Sequence, residues 1–180
     1  MGAVLTRKPE IRFCPRCAGE LEWRPAGDAG AEHPTCTRCG FVLWQHPKPS
    51  VEALIVRDGS AGLEILLGRR GSDDAWDLPG NFLNEADEIE DALKRECRRE
   101  MGIEVAVGEI VGAFDDEFLD SRIISLVYVC RVASGEPRPA DIIDAVRWFP
   151  LSEPPPAAFE AVARAIEALQ RRAGLPRREL

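Results

Sequence analysis

The feature that most constrains this chain is a pair of Cys-x-x-Cys turns near its start. Cys14 and Cys17 form the first turn, Cys36 and Cys39 form the second, and 18 residues separate the two. Each turn presents two thiolates from one tight bend, so two such turns together complete a tetrahedral shell around Zn²⁺. This spacing is typical of a zinc ribbon. We therefore predict a small zinc-ribbon domain over residues 1–46, with a flexible N-terminus.

Two disulfides are the alternative interpretation of these four cysteines. The N-terminus lacks the apolar core of a secretory signal, and disulfides are rare inside cells. No apolar run approaches the roughly 18 residues that cross a bilayer. We therefore expect a cytoplasmic protein with no membrane partner, whose four thiolates hold a structural zinc ion. The two other cysteines, Cys97 and Cys130, are predicted to be buried as small apolar residues.

A second domain is predicted over residues 47–174, followed by a tail at 175–180. Two prolines within Gln45–Ser50 resist both helix and central strand and mark the boundary. Beyond them, runs rich in branched residues predict strands, and two amphipathic runs predict helices. The predicted strands are Val51–Gly59, Leu63–Arg70, Val105–Phe114, Arg122–Val132 and Ala145–Leu151, and the predicted helices are Glu88–Met101 and Pro156–Arg172. This order indicates an α/β domain with helices packed on a mixed sheet.

The first predicted helix carries two carboxylates on its apolar face. Its apolar stripe consists of Ile89, Ala92, Leu93, Cys97 and Met101. At about 100° per residue, Glu96 and Glu100 fall inside this stripe. Two buried carboxylates four residues apart repel each other unless a partner neutralises them. Mg²⁺ or Mn²⁺ suits such oxygen ligands, whereas pairing with arginine or leaning out to solvent are the alternatives.

The segment from Leu78 to Ile103, LPGNFLNEADEIEDALKRECRREMGI, resembles the Nudix box, G-x5-E-x7-R-E-U-x-E-E-x-G-U, where U is aliphatic. The stretches AWDLPG and VRWFPLSE resemble the flanks of that box, and a zinc ribbon before it is similar to an arrangement that includes NADH pyrophosphatases. The resemblance implies a Nudix-type α/β/α sandwich with a mixed sheet. It also implies divalent-metal-dependent hydrolysis of the pyrophosphate bond of a nucleoside diphosphate derivative, either ADP-ribose-like or a dinucleotide.

Five residues match defined positions of the box: Arg95, Glu96, Glu100, Gly102 and Ile103. The resemblance implies that Glu96 and Glu100 hold Mg²⁺ or Mn²⁺ and that Arg95 orients Glu96. A further carboxylate outside the box often assists in this family. Four acids follow the box in the segment DDEFLD, namely Asp115, Asp116, Glu117 and Asp120. Among these, Glu117 is the predicted catalytic residue.

Four positions depart from the box: Asn81, Asp87, Cys97 and Arg99. Asn81 replaces the opening glycine and suits a left-handed backbone conformation. Asp87 either contacts Arg95 or caps the helix, and the cap is favoured because Glu90 stands three residues further on. Arg99 replaces a glutamate, so it either weakens metal binding or binds a substrate phosphate directly.

A second hypothesis is a catalytically impaired Nudix-like module that binds or senses a nucleotide, with the ribbon serving a homodimer or another partner. A nucleic-acid partner is disfavoured because the net charge is −8 and such a partner requires a cationic surface. The segment VGAFDDEFLDSRIIS lacks the proline-rich signature of NADH pyrophosphatases, so NADH is not favoured as the substrate. Four aromatic residues are predicted to lie in the core rather than to stack on a base: Trp76, Phe114, Phe118 and Phe159.

Overall fold

The computed structural model describes residues 11–27, 30–60, 62–71, 75–118 and 121–175 of the chain. These residues form two compact units. The first unit holds the residues up to Pro47 together with Ser121 and Arg122, and the second holds the others. The predicted flexible N-terminus and all of the predicted tail except Leu175 lie outside the described residues.

The first unit is built on a β-hairpin. Strand β1, Leu21–Pro25, pairs antiparallel with strand β2, Glu32–Cys36. Because β2 ends at Cys36, the second cysteine turn follows the strand directly. Gly19 lets the two cysteine turns approach each other, because a Cβ at this position would lie 3.1 Å from the Cys36 Sγ atom.

The second unit contains seven strands and two helices among the described residues, although Ser121 and Arg122, the first two residues of one strand, are grouped with the first unit. The strands are β3 Lys48–Gly59, β4 Gly62–Arg70, β5 Trp76–Asp77, β6 Gly80–Phe82, β7 Glu104–Phe118, β8 Ser121–Ser134 and β9 Ile143–Pro150, and the helices are α1 Ile89–Met101 and α2 Glu160–Arg172. The strands form one sheet with the order β5-β4-β3-β8-β7, and β6 and β9 pair with β3 and β4. Strand β3 runs parallel to β8 and antiparallel to β4 and β6, so the sheet is mixed.

Helices cover both faces of this sheet. Side chains of a strand alternate between its two faces, and Val51, Ala53 and Ile55 of β3 pack in the same apolar cluster as Leu93 and Met101 of α1. The opposite face packs against α2 through a second cluster that includes Leu54, Val56, Val162, Ala165 and Ile166. The predicted α/β/α sandwich with a mixed sheet is therefore confirmed.

Two details of the prediction were wrong in the segments before and after the box. Helix α2 begins at Glu160 rather than at Pro156, because the preceding residues pair with Trp76. The Trp76 N–H donates to the Pro156 carbonyl at 2.9 Å, and the Ala158 N–H donates to the Trp76 carbonyl at 2.8 Å. Strands β5 and β6 were not predicted, since two or three residues are too few to show alternation.

The two cysteines outside the Cys-x-x-Cys turns lie in the second unit. Cys97 and Cys130 are buried as predicted, and burial raises the pKa of the Cys130 thiol to about 12.

Each helix is 13 residues long. Within the described ranges, neither helix supplies the long apolar stretch needed to cross a membrane.

Candidate functional site

The four predicted zinc ligands come together in the first unit. The Sγ atoms of Cys14, Cys17, Cys36 and Cys39 all lie within 4.8 Å of one another. Cys14 is 3.7 Å from Cys39 and Cys17 is 3.5 Å from Cys36, measured between Sγ atoms, which is far beyond the roughly 2.05 Å of a disulfide. Two sulfurs bound tetrahedrally to one zinc ion, each at about 2.3 Å, lie about 3.8 Å apart. The four thiols therefore fit a zinc ion and exclude the disulfide interpretation.

The acidic pair of helix α1 faces the interior of the second unit. Glu96 is 2% exposed and Glu100 is 0% exposed. The stripe that carries them packs on the sheet, because Leu93, Cys97 and Met101 are buried with them. The helix ends at Gly102, whose φ of 68° is left-handed and suits glycine. The prediction that both carboxylates point inward is confirmed.

Arg99 lies between the two buried carboxylates. Its Nη2 atom is 2.6 Å from Glu96 Oε2 and 3.0 Å from Glu100 Oε1. Its Nη1 atom contacts the carboxylate of Asp141, which lies outside the helix. One guanidinium thus holds three carboxylates, so the arginine pairing that the sequence left open is present in the structure.

One carboxylate oxygen of Glu100 has no hydrogen-bond partner among the described residues. The backbone of Gly80 lowers the pKa of this carboxyl, and the Arg70 Nη2 atom lies 3.9 Å from its Oε1. The other oxygen, Oε2, is buried and has no hydrogen-bond partner among the described residues. Burial raises the pKa of Glu100 to about 7, against the opposing effect of Arg70 and Arg99. A buried carboxylate oxygen without a donor is a suitable ligand for a small hard cation.

A second acidic group, which the sequence analysis did not predict, adjoins this pair through Arg70. The Arg70 Nη2 atom lies 3.1 Å from Asp77 Oδ2, and Asp77 is 3% exposed. Glu52 Oε1 accepts a hydrogen bond from the Ser125 hydroxyl at 2.8 Å, and its Oε2 is buried without a partner among the described residues. The available signal was the charge of Glu52 inside the otherwise apolar strand segment VEALIV.

Glu52 makes the stability of the fold depend on pH. Burial and the nearby charge of Asp77 raise its pKa from 4.5 to about 7. An acid whose pKa is raised by folding favours the folded state at low pH, and this contribution is lost as pH rises from 4.5 through 7. We expect Glu52→Gln to gain about 2 kcal/mol relative to the parent between pH 5 and pH 8. Urea unfolding at both pH values measures this gain, and a difference that does not change with pH contradicts it.

An open cavity lies beside this second acidic group. Its polar side includes Ser50, Glu52 and Ser125, and the two serine hydroxyls lie 3.0 Å apart. Its aromatic side consists of Phe82, Phe118 and Phe159, whose ring centroids are 6.2 and 6.0 Å apart in sequence order. Phe118 and Phe159 thus line the cavity, contrary to the prediction of core positions. The prediction held for Trp76 and Phe114, which are buried in the core.

A family model described as NUDIX domain matches residues 46–170. The chain belongs to the Nudix family. It is 29% identical over 125 residues to an ADP-ribose pyrophosphatase of Methanocaldococcus jannaschii, across 67% of this chain and 72% of that protein. It is 30% identical over 160 residues to the NAD-capped RNA hydrolase NudC of Pseudomonas aeruginosa, across 85% of this chain and 53% of NudC.

A crystal structure of a NUDIX hydrolase from Nitrosomonas europaea shares the fold. The TM-score is 0.74 at 21% identity, across 94% of this chain and 97% of that one. This chain spans about half the length of NudC. Family and fold are therefore shared, and the segment that resembles the Nudix box lies inside the matched domain.

In the Nudix box, Asp87 contacts Arg95 instead of capping helix α1. The Arg95 Nη1 and Nη2 atoms lie 2.9 and 3.1 Å from the two Asp87 oxygens, and this pairing lowers the Asp87 pKa to about 2. The helix is preceded by Glu88, which makes no capping hydrogen bond through its side chain. The predicted cap was therefore wrong, because the Asp87 carboxylate pairs with Arg95, eight positions further along the chain. Arg95 also donates to Glu96 Oε1 at 3.1 Å, as its predicted orienting role requires.

Asn81, at the first position of the Nudix box, lies in strand β6 opposite Val51. The expected left-handed conformation is absent there, since the left-handed residues other than glycine in the described chain are Ala18 and Asp141. The Asn81 side chain instead approaches the acidic pair, with Nδ2 3.5 Å from Glu96 Oε2. Asn81 thus adds a polar contact that a glycine in this position lacks.

Glu117 is not brought to the acidic pair of the Nudix helix. It is exposed on strand β7, whereas its neighbours Asp116 and Phe118 line the cavity. Because strand side chains alternate, Glu117 points away from the cavity that Asp116 faces. Asp120, another acid of that segment, lies outside the described residues. Asp116, the residue before Glu117, accepts a hydrogen bond from the Ala161 N–H at 2.9 Å, at the start of α2.

Proposed function

We propose that the protein hydrolyses the pyrophosphate bond of a nucleoside diphosphate derivative in a reaction that depends on a divalent metal. The observation that carries this proposal is the buried Oε2 of Glu100 on the helix of the Nudix box, which has no hydrogen-bond partner among the described residues and lies on the same helix face as Glu96. The relatives are named for ADP-ribose and for NAD-capped RNA. Both names denote an adenosine diphosphate joined to a second sugar, so an ADP-ribose-like or dinucleotide substrate is the class we favour.

Glu96 and Glu100 would hold the metal, Mg²⁺ or Mn²⁺, because their carboxylate oxygens match the ligands these ions prefer. The bound ion supplies polarisation of a phosphoryl oxygen and activation of an attacking water. Arg95 and Asn81 fix the Glu96 carboxylate from two sides. The charge of Arg70 faces Glu100, with its Nη2 atom 3.9 Å from Oε1. These contacts hold the acidic pair in one geometry, which is what a catalytic metal site requires.

The cavity beside Glu52 has the lining expected for the nucleoside. Small-molecule sites are mostly apolar, with a few directed polar groups. The phenylalanine side can stack on a planar heterocycle, and Ser50, Ser125 and Glu52 offer hydroxyl and carboxylate groups on the other side. This lining supports a substrate with an aromatic base rather than a simple inorganic pyrophosphate.

We also propose that Cys14, Cys17, Cys36 and Cys39 hold one structural zinc ion. Soft thiolates select zinc over magnesium, and four of them complete the shell. The ion therefore stabilises the ribbon and takes no part in hydrolysis. A homodimer through the ribbon stays a prediction, and the molar mass from light scattering tests it.

The second hypothesis, an impaired nucleotide-binding module, has one observation in its favour. Arg99 already neutralises part of the acidic pair, since it contacts both Glu96 and Glu100. In that case nucleotides would bind without turnover. The same assay separates the two hypotheses, because only the enzyme releases products.

Turnover should require both the metal and Glu100. We expect release of nucleoside monophosphate from ADP-ribose, a nicotinamide dinucleotide or a nucleoside triphosphate in the presence of Mg²⁺ or Mn²⁺, measured by chromatography. Glu100→Gln should lower kcat by about a hundredfold or more, because it removes a charged group that stabilises the transition state through the metal.

The matched control is Glu90→Gln, on the same helix but exposed to solvent and paired with Lys94. This variant should keep the parent activity. The proposal fails if turnover is absent with both metals, or if Glu100→Gln matches Glu90→Gln. Nucleotide binding without turnover would favour the impaired module.

A further inference from the structure

Arg99 contacts both carboxylates of the acidic pair. Its Nη2 atom lies 2.6 Å from Glu96 Oε2 and 3.0 Å from Glu100 Oε1, and its Nε atom donates to Glu96 Oε2 at 2.8 Å. An ion held by Glu96 and by Oε2 of Glu100 would lie about 2.1 Å from its ligand oxygens. Arg99 and the ion would therefore compete for the Glu96 carboxylate.

The guanidinium also has a second holding point. Its Nη1 atom contacts Asp141, which follows strand β8 in the sequence and lies outside the box. Nη1 is a different nitrogen of the planar guanidinium from Nε and Nη2, which contact the acidic pair. The contact with Asp141 can therefore persist when the contacts of Nε and Nη2 with Glu96 and Glu100 are broken.

Asp141 is fixed in place by the backbone around it. It has a φ of 53°, a left-handed conformation that aspartate adopts more readily than most residues. The segment before it is bound to the end of helix α1, since the Arg138 N–H donates to the Met101 carbonyl at 3.0 Å and the Ala140 N–H donates to the Glu100 carbonyl at 3.1 Å. These two hydrogen bonds hold the backbone before Asp141 at the end of the helix that carries Arg99.

We propose that Arg99 is a built-in cation that competes with the divalent metal for Glu96 and Glu100, and that Asp141 is the positioning residue that retains Arg99 when the metal binds. In the metal-free protein the guanidinium neutralises the buried acidic pair. When a divalent ion enters, Arg99 leaves Glu96 and Glu100 and keeps Asp141 as its carboxylate partner. This inference rests on the proposed function, because it assumes that the acidic pair binds a metal.

Substitution of Arg99 and substitution of Asp141 should change the affinity for Mn²⁺ in opposite directions. Arg99→Gln removes the competitor, so Mn²⁺ should bind at least tenfold more tightly. With the metal bound, Asp141 no longer shares the guanidinium with Glu96 and Glu100, so its pairing with Arg99 is stronger than in the metal-free protein. Asp141→Asn therefore destabilises the metal-bound state more, and Mn²⁺ should bind more weakly, by about threefold or more. If Asp141 acts through Arg99, Asp141→Asn should change the affinity less than twofold in the Arg99→Gln background, which is the logic of a double-mutant cycle.

Mn²⁺ titration of the full-length protein without substrate, followed by calorimetry and by the electron paramagnetic resonance of free Mn²⁺, measures these affinities. Arg98→Gln is the matched control, because Arg98 stands on the same turn of α1 but pairs with exposed Glu104. It removes one positive charge and should leave the affinity within about twofold of the parent. Arg99→Lys keeps the charge with a shorter reach and serves if Arg99→Gln does not fold, as judged by its melting temperature; its affinity should lie between those of the parent and Arg99→Gln.

The outcomes separate this inference from the proposed function. If the parent binds Mn²⁺ and hydrolyses nucleotides but neither Arg99 variant binds the ion more tightly, the competition is overturned while the function stands. If Arg98→Gln tightens binding as much as Arg99→Gln, the effect is general electrostatics and the inference is overturned. An Asp141→Asn effect that persists without Arg99 overturns the positioning role. Absence of both Mn²⁺ binding and hydrolysis in every protein overturns the proposed function and this inference together.

Discussion

Cys36→Ser is expected to abolish zinc binding and unfold the ribbon. The described part of the first unit has a single hairpin of two five-residue strands, too little to fold without support. Structural zinc in small domains contributes about 10–16 kcal/mol of apparent binding free energy at neutral pH, and this contribution depends on a complete thiolate shell. The parent should contain about one zinc per chain by elemental analysis, as one closed four-cysteine shell requires, and Cys36→Ser should contain almost none.

The control for this variant is Cys130→Ser, which changes a buried thiol in the other unit. It should keep the zinc content of the parent. Limited proteolysis should cleave Cys36→Ser within residues 11–47 and leave the ribbon of Cys130→Ser intact. A folded parent without metal, or a Cys36→Ser variant with full zinc, contradicts the prediction.

Gly80→Ala is expected to destabilise the second unit by about 3 kcal/mol or more, at the upper end of the cost of overpacking. A Cβ at this position would lie 2.3 Å from the Val51 carbonyl oxygen and 2.7 Å from Glu52 Cγ. Gly80 pairs with Glu52 across β3 and β6, so the added methyl group would press on the backbone of the central strand. The backbone of Gly80 also lowers the pKa of Glu100, and we expect metal-dependent activity to fall with stability.

Gly71→Ala provides the comparison. Gly71 has a φ of 64°, and a Cβ added there would meet no described atom within 4 Å. Gly71→Ala should therefore lower the free energy of unfolding by the strain of the left-handed conformation alone, about 1–2 kcal/mol. Urea unfolding of both variants measures the difference, and an equal loss in the two would show that the close contact at Gly80 is relieved by a shift of the backbone.

The sequence predicted the features that depend on local periodicity. Glu96 and Glu100 were predicted to point inward because one helix places both on its apolar stripe, and the stripe is a property of that segment alone. The cysteine turns were predictable for the same reason, since both cysteines of each turn lie within four consecutive residues. Periodicity also predicted the two helices and the five longer strands, with errors at their ends.

The features that were missed depend on contacts between distant segments. Asp87 was predicted as a cap from its spacing to Glu90, but Arg95 competes for the same carboxylate and the tertiary structure decides between them. Glu52, Arg70 and Asp77 meet only because β3, β4 and β5 pair as neighbours in one sheet. No spacing within one segment predicts that pairing.

The parallel pairing of β3 with β8 has a consequence for the order of folding. It places Ser50 opposite Ser125, 75 residues apart in the chain. Closing such a long loop has an entropic cost that only later contacts offset, so parallel strand pairs form slowly compared with helices. The polar side of the cavity therefore forms late, after helix α1 has its acidic stripe. Substitutions at Ser50 or Ser125 should consequently act on the rate of unfolding more than on the rate of folding.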